Sequence, residues 1–166
     1  MSLFEDNRYR WRETYFVLFR AEKRPDLKKV EKALSTLSDQ YSLVNPNADD
    51  KGRFESITLL SPDDFAALDV CYTSGEEVLE QGLELAKEIE LIVCDESEKQ
   101  ALEHIRHCTA RFDVLHFEEV ADAPSDDPDE MLDPTALLLV LNVLAKVTGG
   151  VAIDPQSGAI LSENEY

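Results

Sequence analysis

Residues 1–166 read as one α+β domain in the ferredoxin-like style, an antiparallel-rich sheet with helices on one side. Three observations predict this. Apolar runs of strand character and stretches of helical periodicity follow one another as β-α-β-β, two helices, then β-α-β-β. Neighbouring strand runs are joined by short turns of Pro, Asp, Ser and Gly, as hairpins require. The chain lacks the βαβαβ alternation and Gly-rich first turn of a doubly wound nucleotide-binding sheet.

The elements follow in order. Tyr15-Phe16-Val17-Leu18-Phe19 is unbroken apolar sequence, which fits a strand covered on both faces. Pro25 and Asp26 open a helix in which Leu27, Val30, Leu34 and Leu37 recur at steps of three and four. Asn45-Pro46-Asn47 and Asp49-Asp50-Lys51-Gly52 predict a loop. Phe54 to Leu60 and Ala66 to Tyr72 read as a hairpin around Ser61-Pro62-Asp63-Asp64. Ser74 with Glu77, and Ser97 with Gln100, have capping-box spacing, so each opens a helix. Val78, Leu79, Gly82, Ala86 and Ile89 mark the first of these helices, and Ala101, Ile105 and Cys108 the second. Leu91 to Cys94 fits either a helix tail or a brief strand. Phe112 to Phe117 is the next strand, and the acidic, proline-containing stretch from Glu118 to Asp133 reads as a solvated loop. Asp133-Pro134 starts an apolar helix to Lys146, and Gly149-Gly150 ends it. Val151 to Ile153 and Ala159 to Leu161 then form a hairpin. The stretches 14–73 and 112–162 repeat the same order of elements, a pseudo-repeat of architecture without residue-level similarity.

Charge narrows the function. The net charge is −19, with residues 1–60 near balance at +1 and residues 61–166 at −20. Such a surface repels phosphate backbones and anionic lipid, so neither nucleic acid nor membrane is an expected partner. The opening Met-Ser-Leu-Phe-Glu-Asp lacks the basic and apolar regions of a signal peptide. Cys71, Cys94 and Cys108 are odd in number and lack Cys-x-x-Cys spacing, which fits reduced thiols in the cytoplasm.

Four groups of residues invite a chemical reading. His104, Cys108 and His116 bring imidazole and thiol close in sequence and are metal-ligand candidates, zinc being the metal those donors suit. The three cysteines sit in apolar settings that leave sulfur unreactive, and no nucleophile, phosphate-loop or metalloprotease motif is present. Asp122, Asp126, Asp127, Asp129 and Glu130 are carboxylates without the calcium-loop pattern. Arg8, Arg10, Trp11 and Arg12 alternate cations with aromatics, residue types enriched at binding hot spots, and form the candidate interaction segment. If extended, this segment puts its arginines on one side and its aromatics on the other.

The ending (apolar helix, Gly149-Gly150, then Val151-x-Ile153-Asp154-Pro155-x-x-Gly158) resembles the C-termini of an uncharacterised bacterial protein family of planctomycete type. The resemblance covers only that ending and implies no activity. The expectation from the residues is a non-enzymatic interaction or regulatory domain without cofactor or catalytic residues, working with a protein partner or as a homo-oligomer. A small enzyme or metal-dependent protein using the His/Cys group is the alternative.

Overall fold

The computed structural model describes residues 3–92, 95–120 and 134–162. Its strands are β1 (Tyr9–Phe19), β2 (Ser42–Ala48), β3 (Phe54–Ser61), β4 (Ala66–Ser74), β5 (Ala110–Glu119) and β6 (Val151–Ile153). They form one six-stranded sheet in the order β2-β3-β4-β5-β1-β6. Every neighbouring pair is antiparallel. The helices are α1 (Leu27–Ser35), α2 (Glu76–Glu90), α3 (Glu96–Ile105) and α4 (Thr135–Thr148). The chain is therefore α+β, as its sequence predicts.

The helices divide between the two faces rather than gathering on one. Successive strand residues point to opposite faces. Val17 and Phe19 of β1 join the core formed with α1 and α4, whereas Phe16 and Leu18 join the core formed with α2 and α3. The uninterrupted run in β1 requires this, because neither face of that strand tolerates water. β1 lies between β5 and β6, so β5-α4-β6 is a split β-α-β unit around it. The two stretches of the pseudo-repeat thus interleave within one sheet.

Local departures from the sequence reading have physical causes. Asn45-Pro46-Asn47, expected to be loop, lie within the edge strand β2. An edge accommodates Pro46, which cannot donate to a ladder and sits where the register slips between Val44 and Asn47. Ser74 is not a cap: it pairs with Ala110 as the last residue of β4, and Gly75 precedes α2 without a side-chain cap. α3 is capped by Asp95 rather than Ser97, the Asp95 carboxylate accepting the Glu98 N–H at 2.8 Å. Leu91 and Ile92 form a turn, and Val93 and Cys94 lie outside the described residues. Glu118 and Glu119 belong to β5, while the rest of the acidic loop, residues 121–133, also lies outside them. Gly149 ends α4 at φ 66°, the left-handed conformation glycine adopts most readily. The terminal hairpin is reduced to one bridge, Ile153 with Ile160. No helix among the described residues is long and apolar enough to cross a membrane.

Candidate interaction surface

The basic-aromatic segment becomes the start of β1. Tyr9 to Trp11 pair with Glu119 to Phe117 of β5, and the register then slips between Trp11 and Glu13. An extra residue in one strand bends it and re-aims side chains. Here the slip lets both Arg10 and Arg12 reach one oxygen of Glu118, at 3.0 and 2.7 Å. Burial pushes the Glu118 carboxyl up, but the hydrogen bonds and charges of Arg10 and Arg12 outweigh it and hold the group below its ordinary value. Arg8 instead turns back to Asp6 at 2.7 Å, and its hydrogen bonds hold that carboxyl at about 2. Tyr9 packs with Leu3, Ala67 and Phe117, while Trp11 stays 43% exposed with its Nε1 donating to Thr14 Oγ1 at 3.1 Å. Exposed pairs such as these add little to stability because water and salt screen them, so they orient the segment more than they hold the fold.

Sequence reasoning missed the neighbouring residue, Phe65. It follows the Pro62–Asp64 turn with φ 51°, in the left-handed region, and is 60% exposed. Its N–H donates to Pro62 O at 3.1 Å, and its carbonyl accepts the Glu119 N–H at 2.7 Å. The Val120 N–H donates to Arg8 O at 2.7 Å, tying the start of β1 to the end of β5. Phe65, Val120, Trp11, Arg8 and Arg10 therefore occupy one end of the sheet. The available signal was an aromatic residue after a turn that contains no glycine.

The remaining candidates disperse. Cys108 is buried with α2 and α3, where its thiol donates to the His104 carbonyl at 3.3 Å and burial pushes its pKa to about 12. His116 points to the opposite face of the sheet, on the side of Phe112 and Val114. Among the described residues, no three His, Cys, Asp or Glu side chains are placed to hold a metal. His104 borders a small depression of about 240 Å³ with Arg20, Gln100, Glu103 and His107. Burial lowers the His104 pKa, against a hydrogen bond with the Gly149 backbone. The depression lies beside the C-terminal ends of α3 and α4, whose dipoles disfavour an anion despite the nearby Arg20. Cys71 lies among Asp69 and Asp113 on the half-open face, where burial and the two carboxylates push its thiol up. That environment keeps it protonated and unreactive. The acidic residues considered for calcium lie outside the described residues.

Compared with family models, curated proteins and solved structures, the chain matches none.

Proposed function

We propose that this chain is a non-enzymatic protein-interaction module whose contact surface is the sheet end carrying Trp11, Phe65, Val120, Arg8 and Arg10. The observation that carries this reading is Phe65, a bulky side chain held at positive φ and left mostly in water. A residue of this kind in the left-handed region costs about 1–3 kcal/mol, and such strain concentrates where function requires it. At 60% exposure, the residue gains little packing in return. Trp11 and the arginines beside it are residue types that dominate binding energy at interfaces. The expected partner is a protein, in a reduced cytoplasmic setting that the unpaired, buried Cys108 supports. The net charge of −19 speaks against nucleic acid.

Phe65→Gly separates binding from folding. Glycine accepts the left-handed backbone, so the variant should be as stable as the parent or up to about 1 kcal/mol more stable in urea unfolding. Cross-linked complexes recovered from cells should contain a partner band with the parent that is lost with Phe65→Gly and Trp11→Ala. A control variant on the outer side of α4, Leu139→Ser, should keep that band. A band that survives both surface variants, or a Phe65→Gly protein clearly less stable than the parent, would remove the basis of this reading.

A further inference from the structure

His116 is a histidine enclosed in a hydrophobic sheet face, with 1% of its surface exposed. Its Nδ1 lies 3.2 Å from Glu13 Oε1 on β1, and the Tyr15 hydroxyl donates to the same oxygen from 3.2 Å. Its Nε2 is buried, with no hydrogen-bond partner among the described residues. The carboxylate–imidazole pair has the form of a base and its orienting group, but Nε2 is closed off from any substrate. We propose that His116 is an acid-sensitive latch between β1 and β5, whose protonation frees the strand end that carries Arg10, Trp11 and Arg12.

The position of the pair makes the effect local. Glu13 opposite His116 is the first register pair beyond the slip that follows Trp11. The three pairs from Tyr9 to Trp11 are therefore separated from the continuous ladder, and the Glu13–His116 contact stands at the junction. In the neutral imidazole, Nδ1–H donates to Glu13 and Nε2 carries only a lone pair. Protonation adds an N–H at Nε2 that has no acceptor among the described residues, and places a charge in an apolar interior. The charged groups acting on the ring are Glu13, which favours the cation, and Arg12, which opposes it, both on β1. From β4 the residue directly opposite is Leu68, which is apolar and fully buried. Burial has the largest influence and lowers the His116 pKa, with Glu13 pulling the other way. A histidine whose folded pKa lies below its ordinary 6.5 contributes fully above that pH. As pH falls below it, the unfolded or frayed chain takes up the proton first and the latch weakens.

The inference concerns strand pairing alone and holds whether or not the surface binds a partner. Residue-resolved amide exchange, expressed as protection factors, tests it at neutral pH and near about pH 5.5. In the parent, protection at residues 9–11 and 117–119 should fall by about tenfold on acidification, while Val17 to Phe19 stay protected. His116→Phe should remove that difference, and His104→Gln should leave it intact. If His116→Phe does not fold, Glu13→Gln serves instead. Losing the carboxylate should move the His116 ring titration, followed by its carbon-bound proton signals, to lower pH. Equal protection of the parent at both pH values, an acid response shared by His116→Phe, or an unmoved titration in Glu13→Gln would overturn the proposal.

Discussion

The two faces of the sheet differ in what covers them, and β5 records the difference residue by residue. Ala110, Phe112, Val114 and His116 are buried against the α1/α4 side, whereas Arg111, Asp113 and Leu115 on the other side are only half-buried. On the covered side an aromatic group forms the centre, with Phe19 and Phe54 at 4.8 and 5.2 Å from Phe112 between ring centroids. On the other side α2 and α3 pack over β1 and β6, and Leu3 packs at the far end against Ala67 and Phe117. The ground between holds polar residues that bond to one another. Thr58 donates to Asp69, and Arg111 donates to Asp113 at 2.7 Å and lies over the Phe16 ring at 4.4 Å. Burial pushes both carboxyls up, against the hydrogen bonds that each accepts. Polar residues persist in a strand interior where water still reaches and partners are at hand. Where α1 and α4 close the face, the interior is mostly apolar, and the buried His116 is bonded to Glu13.

The largest test of this contrast is truncation on the closed side. Phe112→Ala should destabilise by about 3–5 kcal/mol, because the cavity it leaves lies in the middle of the aromatic group. Cys71→Ala, on the half-open side of the adjacent strand, should change stability by less than about 1 kcal/mol. Denaturant unfolding of both variants would show it, and equal losses would mean that the two faces are packed alike. A middle effect is expected at the junction between α4 and β6. A Cβ on Gly150 would meet the Leu18 carbonyl, with Thr148 Oγ1 at 2.9 Å and Phe19 Cβ at 3.0 Å. Backbone cannot yield as a flexible side chain does, so Gly150→Ala should lose about 1–3 kcal/mol. A neutral result in thermal unfolding would place β1 farther from this connection than the structure has it.

The smallest effect is electrostatic and belongs to the half-open side. The folded Asp69 carboxyl lies above its ordinary 3.8, so its stabilising contribution is complete below that pH and is lost as pH rises through the folded value. Asn at this position still accepts from Thr58 but does not titrate. Relative to the parent, Asp69→Asn should gain stability as pH climbs from 3.8, levelling off once the parent carboxyl is ionised. Urea unfolding across that range checks the sign. A constant difference between variant and parent would show that burial does not act on this carboxyl.

How much of this was legible depends on the range of the interactions. The run from Tyr15 to Phe19 announced an interior strand, and the Phe54–Leu60 and Ala66–Tyr72 hairpin could be read from alternation and a short turn. β2 was not legible, since Asn45-Pro46-Asn47 has turn chemistry and becomes a strand only by pairing with β3. The alternation of Arg10 and Arg12 against Trp11 was visible, but not that the two cations converge on Glu118, which lies more than a hundred residues along the chain. Phe65 illustrates the same limit, because its left-handed backbone is held partly by a hydrogen bond to Glu119.

By itself, the sequence determined the α+β class, most element positions, and the separation of a near-neutral opening from a strongly acidic remainder. Those properties follow from local periodicity, turn chemistry and charge, which neighbouring residues settle among themselves. Only the tertiary structure decided that the helices divide between two faces, that His104 and Cys108 stand apart from His116, and that Phe65 joins the arginine segment at one sheet end. Those outcomes depend on strand order and register, and a shift of one residue exchanges the two faces of a strand.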